Sequence, residues 1–346
     1  MNQWLPHIPI PAGFHFLRRR SGVNPLIINY HMVSDEDHAY IKHLYHYRSI
    51  DAFKRDLDFY ISRYQPVGLE EMLKSLKGEG TVPENALHLT FDDGFREVHE
   101  VIGPLLKQYE IPATFFITSD FLDNKMLNHD NKQSMVADHL ISKASGRTHD
   151  DILKLLSDNH GSGNSIKDQI LNIPYSKRAL INAIAARLGI DFKEFLKNQR
   201  PYMTTSQVKD LLEQGFTIGS HSLDHARFPE LSLDDQVEQV KKSLESLVDS
   251  FSIDYRVFAF PYSDRGVSGT FFHRVSGLLE ASFGTHGLQE DPVNTHFQRI
   301  SVEKYKQPAR KTLKFHYARR MIYNSLGKAF VTRPNEPDDA QIVLKN

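Results

Sequence analysis

The sequence contains no cysteine. That excludes disulfide scaffolds, thiolate zinc sites, iron–sulfur clusters and cysteine nucleophiles. Any metal must be held by histidine and carboxylate, and 18 histidines are available for it. No run approaches the ~18 consecutive apolar residues that a transmembrane helix requires. An excess of charge of one sign is missing too: Lys+Arg 42 against Asp+Glu 43 leaves a net charge of −1. Such a balance provides no basic footprint for nucleic-acid binding and no disordered charged tail. The N-terminal stretch MNQWLPHIPIPAGFHFLRRR has prolines early and charges late, the reverse of a secretory signal. A cytoplasmic location is therefore expected, with a peripheral membrane contact open through Trp4, Ile8, Ile10, Phe14, Phe16 and Leu17 ahead of Arg18, Arg19 and Arg20. An arm packed on its own domain is favoured, because three prolines oppose an amphipathic helix.

With 346 residues, the chain fits two domains or one α/β barrel carrying an insertion. Short apolar runs predict strands at Leu26–Tyr30, Leu87–Phe91, Ala113–Thr118, Phe216–Ser220, Val257–Phe260, Ala281–Gly284 and Gln298–Val302. Amphipathic patterns between them predict helices: one with Phe53, Leu57, Tyr60, Ile61 and Tyr64, then Phe95–Tyr109 kinked at Pro104, Ser206–Gln214 and Leu233–Phe251. Strands alternating with helices give a parallel sheet. Seven of them suggest a barrel, with chemistry at the strands' carboxyl ends. Residues 120–200 break the rhythm. They are polar, contain GSGNS at 161–165, and read as a helical insertion with helices over Gln133–Lys143, Asp150–Ser157 and Ser176–Leu188. The expected division is an arm at 1–24, the barrel at 25–119 and 201–305, the insertion at 120–200, and a C-terminal helix and tail at 306–346.

Four segments carry candidate chemistry, each at a predicted strand end. Thr90-Phe91-Asp92-Asp93-Gly94 delivers two adjacent carboxylates, with a glycine for the turn that follows. Neighbouring residues at a strand end point different ways, so one can bind a metal while the other faces a substrate; helix capping is the plainer use of such aspartates. His221-Ser222-Leu223-Asp224-His225 spaces two histidines as on one face of a helical turn, a separation one metal ion can bridge. Two histidines and one aspartate leave positions open, as catalytic metal sites do. Phe258-Ala259-Phe260-Pro261-Tyr262 ends a strand at proline and presents the Tyr262 N–H near the barrel mouth. Ile27-Ile28-Asn29-Tyr30-His31 ends another in a histidine, completing a set of metal ligands, base and acid.

TFDDG followed by HSxxH and by a strand ending in Pro-Tyr resembles the polysaccharide deacetylase family, carbohydrate esterase family four. The resemblance covers roughly residues 25–305, apart from the insertion. It implies an α/β fold, a distorted barrel of about seven β/α units. The early Tyr-His motif is similar to the branch of poly-N-acetylglucosamine deacetylases, whose acid histidine comes from the first strand. Carried over, the resemblance puts the general base at Asp92, the metal ligands at Asp93, His221 and His225, the acid at His31, and the oxyanion donor at Tyr262 beside Pro261. The family's arginine ahead of Pro-Tyr is replaced here by Phe258, Ala259 and Phe260, which leaves Arg299, Arg265 and Arg96 as candidates to hold the base. Ser263 stands where a glycine is usual after Pro-Tyr. His286, after another strand, is a rival acid, although Gly284 departs from the late family motif.

The implied cofactor is a divalent metal, Zn²⁺ first, with Co²⁺ or Ni²⁺ also compatible with His/Asp ligands. The implied partner is an N-acetylated glycan, or a nucleotide- or lipid-linked sugar precursor. Two other readings use the same residues: a metal-dependent amidohydrolase acting on a non-sugar amide, and a non-catalytic glycan-binding member. Metal content separates the second from the enzymes, and acetate release separates the sugar deacetylase from the first.

Overall fold

The computed structural model describes residues 10, 12–142, 147–160, 165–303 and 305–334. Trp4 and Ile8, Lys143, and most of GSGNS lie outside the described residues. Among the described residues, nine strands form one parallel sheet: β1 (Leu26–Tyr30), β2 (Gln65–Pro66), β3 (Ala86–Phe91), β4 (Ala113–Ile117), β5 (Thr217–Ser220), β6 (Val257–Ala259), β7 (Ala281–Gly284), β8 (His296–Gln298) and β9 (Ile300–Ser301). The order is β8-β7-β6-β5-β4-β3-β1-β9, with β2 beside β3. Since β8 pairs with β7 and β9 with β1, residues 296–301 bring the two edges of the sheet together. The result is a nearly closed barrel with helices outside, as the sequence predicts.

The last predicted strand is corrected in detail. Rather than one strand over 298–302, the chain changes partner at Arg299, whose N–H donates back to the Gly284 carbonyl at 3.2 Å. Hydropathy cannot register that change, because the break falls on a charged residue whose side chain is wholly buried.

Alternation at period two divides the strand residues. Ile28, Tyr30, Leu87, Leu89, Phe91 and Phe115 join the large apolar cluster beneath the helices. Ile27, Phe116, Val257, Ala259, Ala281 and Phe283 join another. Gly219 on β5 is where Phe116 sits: a Cβ there would lie 2.5 Å from the ring.

Two helical expectations also change. The predicted Phe95–Tyr109 helix widens into a π-turn over Val98–Ile102 before its α-helical end at Gly103–Gln108. Pro104 has no N–H to donate, and Gly103 donates to the carbonyl of Val98, five residues back. The N-terminal segment forms a helix, Phe14–Ser21, which starts beyond the prolines that argued against one. Phe14 stands edge-on to Tyr317 of the Ala309–Ser325 helix and Leu17 is buried.

Between β4 and β5 the chain forms helices at His129–Ser142, Arg147–His160, Ile166–Leu171, Arg178–Arg187 and Phe192–Gln199. Val136, Leu140, Ile152, Ile170, Ile181 and Ile184 pack into a core of their own. Among the described residues, no helix is long and apolar enough to cross a membrane.

Candidate active site

Register sets the site. Tyr30 pairs with Phe91 at the ends of β1 and β3, so His31 and Asp92 emerge side by side, and the Asp92 N–H donates to the Tyr30 carbonyl at 2.9 Å. Ile117 pairs with Ser220, and the His221 N–H continues that ladder to the Ile117 carbonyl at 2.9 Å. Every candidate from a strand end therefore lies at the carboxyl face of the barrel.

The two adjacent aspartates have separate environments. Asp92 is buried and accepts a two-pronged contact from Arg299: Nη1 to Oδ1 at 2.7 Å and Nη2 to Oδ2 at 2.9 Å. Arg299 also donates to Thr90 Oγ1 and the Gly284 carbonyl, and its guanidinium lies 5.3 Å from the Phe116 ring centroid. Burial pushes the Asp92 carboxyl up, but the charge and hydrogen bonds of Arg299 outweigh it and hold the group below its ordinary value. Of the three candidate arginines, Arg299 is the one on Asp92. Arg96 instead meets Glu100 and the Gln199 carbonyl, and Arg265 is exposed at the rim of the central cavity.

Asp93 faces the other way. Its Oδ1 lies 3.3 Å from His221 Nε2 and 3.2 Å from His225 Nε2. Although buried, this oxygen makes no hydrogen bond of acceptable geometry. His221 gives its Nδ1 proton to the Ala259 carbonyl at 2.9 Å, which leaves Nε2 as the lone-pair nitrogen. One carboxylate oxygen and two imidazole nitrogens thus converge within 4.8 Å, the donor set of an open divalent metal site. The helical turn expected for the two histidines is not what brings them together. Residues 221–225 are a non-helical loop in which Ser222 and His225 have φ of 69° and 62°, and Asp93 stands at 74°. Side chains rarely accept that region, and such strain gathers at functional sites.

His31 donates Nδ1–H to Glu303 Oε2 at 2.8 Å, and its backbone N–H donates to the same oxygen at 2.9 Å. Burial lowers the imidazole's pKa, but the Glu303 hydrogen bond and the Asp93 charge raise it further, to about 9. With Nδ1 engaged, Nε2 is the ring atom available for proton exchange. Sequence reading missed Glu303. The available signal was a carboxylate just past an apolar strand, as at Asp92, but nothing in the spacing ties it to a histidine 272 positions earlier.

Tyr262 follows Pro261 at φ 55°. Its ring lies 4.5 Å from that of His225, with the Arg227 guanidinium 3.8 Å over its face. His286 lines the same cavity as His31, yet its Nε2 is 3.6 Å from Asp264, and burial lowers its pKa. A second acidic group, Asp264, Asp291 and His296, also comes close together. There the Arg333 guanidinium already bridges the two carboxylates, at 2.6 and 2.5 Å.

Fold and site together are those of a barrel hydrolase. Residues 79–271, more than half of the chain, match the polysaccharide deacetylase family, and the chain belongs to it. Poly-beta-1,6-N-acetyl-D-glucosamine N-deacetylases of Escherichia coli K12 and O157:H7 are each 29% identical over 80 residues. That stretch is 23% of this chain and 11% of those relatives. Among solved structures, the Streptococcus pyogenes deacetylase PplD is similar with a TM-score of 0.55 and 15% identity, covering 85% of this chain and 99% of that one. IcaB from Ammonifex degensii gives 0.51 and 16%, covering 85% and 96%. At such identities these structures speak for the fold.

Proposed function

We propose that the chain is a metal-dependent N-deacetylase that removes acetyl from an N-acetylated amino sugar of a glycan or its precursor. The observation that carries this reading is the division of Asp92 from Asp93: adjacent carboxylates, one held by a buried arginine and one facing the Nε2 atoms of two histidines. Asp93, His221 and His225 would hold the ion, Zn²⁺ first. Such an ion supplies Lewis acidity toward an amide carbonyl and eases ionisation of water. Asp92, kept ionised by Arg299, takes the proton of the attacking water. The Tyr262 N–H is the assigned donor to the oxyanion that develops on the carbonyl. His31 delivers its Nε2 proton to the departing amine, releasing acetate and a free amino sugar.

Acetate release from N-acetylated amino-sugar substrates, by protein stripped with chelator and then given Zn²⁺, Co²⁺ or no metal, tests the reading. Turnover is expected only with metal, which should bind at about one ion per chain, the stoichiometry of a single three-ligand site. Binding of metal without acetate from any sugar would favour a different amide substrate. No metal binding would favour the glycan-binding reading.

The His31–Glu303 pair gives a pH prediction. As an acid, His31 works only while protonated, so activity should fall as pH rises through its raised pKa. An ion held at Asp93 would offset part of the elevation and put that alkaline limb below about 9. Glu303→Gln removes the largest raising influence while burial still lowers the pKa. The alkaline limb of kcat should move to lower pH by a unit or more, on the order of one lost charge-assisted hydrogen bond. An unmoved limb would rule His31 out as the acid.

A further inference from the structure

The turn that carries Tyr262 is strained. The residue has φ 55°, and the Ser263 N–H donates back to the Pro261 carbonyl at 2.6 Å. A three-residue turn closed around a positive-φ residue is the rare, strained form. Such backbone persists only where the groups around it over-determine it. The turn leaves the Tyr262 N–H without a hydrogen-bond partner among the described residues, on the wall of a cavity of about 480 Å³ that His31, Asp92 and His221 also line.

What holds the turn is Asp264, two residues on. Its side chain is 0% exposed, and four donors meet it. The Thr285 N–H donates to Oδ1 at 2.9 Å, while Gln298 Nε2, His296 Nε2 and Arg333 Nη2 donate to Oδ2 at 2.8, 3.1 and 2.6 Å. These partners come from the end of β7, from β8 and from the segment after the Ala309–Ser325 helix. Burial pushes the Asp264 carboxyl up, but the His296 hydrogen bond and the charges of His296, His286 and Arg333 hold it well below its ordinary value. The anchor is therefore an anion, whose hydrogen bonds are the strong ones. Two contacts extend it to the turn's backbone. Thr285 donates Oγ1–H to the Tyr262 carbonyl at 3.2 Å, and Arg333 Nη1 donates to the Asp264 carbonyl at 2.9 Å. Gly284 makes the room: a Cβ there would lie 2.5 Å from the Asp264 carboxylate. That gives a physical reason for glycine where this chain departs from the late family motif.

We propose that Asp264 is a positioning residue for the hydrolysis: through Thr285 and the strained turn, it fixes the Tyr262 N–H where negative charge develops on the substrate carbonyl. The inference rests on the deacetylase reading and goes beyond it. The second acidic group is then the anchor of the oxyanion donor, with Arg333 as its counter-ion. A donor held rigid in this way stabilises the developing charge without reorganising, and a misplacement of about 1 Å can cost about 10²-fold in rate.

The test uses the full, Zn²⁺-loaded chain and two variants. Asp264→Asn keeps the side chain's shape and exchanges one acceptor oxygen for a donor, while Arg333 retains Asp291 at 2.5 Å. Thr285→Val is isosteric and removes the bond to the Tyr262 carbonyl. Acetate is measured from a β-1,6-linked N-acetylglucosamine oligomer, a β-1,4-linked one and a uridine-diphosphate-linked N-acetylhexosamine, with kcat taken per bound ion. We expect kcat to fall about 10- to 100-fold in Asp264→Asn and by about threefold or more in Thr285→Val, from displacement of one oxyanion donor. KM should stay within about twofold, and both limbs of the pH profile should stay in place, because Asp92 and His31 are untouched. Native kcat per ion in either variant, even with a lowered Tm, makes Asp264 a brace of the fold and overturns the proposal. A loss confined to KM overturns it too, as does a displaced pH limb, which would route the effect through Asp92 or His31. If Asp264→Asn does not fold, Thr285→Val decides by the same criteria. Acetate from none of the three substrates with the native chain would sink the deacetylase reading and the proposal together, whereas native turnover that the variants leave alone overturns the proposal only.

Discussion

Asp92→Asn is expected to lower kcat by about 10³-fold, the middle to upper part of what a positioned general base contributes. The asparagine keeps the shape of the side chain but cannot take a proton. Because Asp92 is not among the three converging donors, metal content should remain near one ion per chain. Asp93→Asn should behave differently, since it weakens the donor set itself and both metal content and turnover fall together. Metal analysis and acetate kinetics on the two variants separate the roles of residues that are neighbours in sequence. Retained metal with near-native turnover in Asp92→Asn would remove Asp92 as the base. Loss of metal in that variant would show that the two carboxylates are not divided as proposed.

Much of the barrel was legible because β1, β3, β4, β6 and β7 are short, largely apolar and buried throughout, and because turns and amphipathic helices punctuate them. β1, β3, β4, β5, β6 and β7 fall within a residue of their predicted ends. The closing segment was less legible, since strand pairing is a property of two partners: Arg299 marks the change from β7 to β1, and no local pattern announces it. The same fact explains why sequence left three arginines in contention for Asp92. Only the residue in the gap between β8 and β9 lies level with Thr90 and Asp92 inside the barrel. The histidine pair was found by its spacing and misread in its geometry, because a helical i, i+4 contact and a loop held by left-handed residues bring two imidazoles equally close. Glu303 could not be paired with His31 before β9 was known to lie beside β1. The insertion's outline was readable from composition, but Ile166–Leu171 and Phe192–Gln199 were missed, being too short for a periodic signal to stand out.

Arg299→Met should be the most costly single change in folding terms. The native pair is buried on both sides, with side chains 0% and 3% exposed, and removing one member leaves the other ionised without its partner. Breaking such a pair costs about 3–5 kcal/mol. The pH dependence of that loss has a definite sign. In the native chain the Asp92 pKa lies below its ordinary value, so the pair's contribution is present above the unfolded carboxyl's pKa and is lost as pH falls through the folded one. In Arg299→Met, burial is left to push the same carboxyl up, so folding at neutral pH must bury an unpaired charge or take up a proton. The deficit in Tm should be largest near neutrality and narrow in acid, where Asp92 is protonated in both folded chains. Activity should follow the same group: with the base pKa raised, the acid limb of the rate profile moves to higher pH. A destabilised variant with an unmoved acid limb would reduce Arg299 to a packing residue. Movement of both together would identify the residue at the barrel's closing seam as the one that keeps the base ionised.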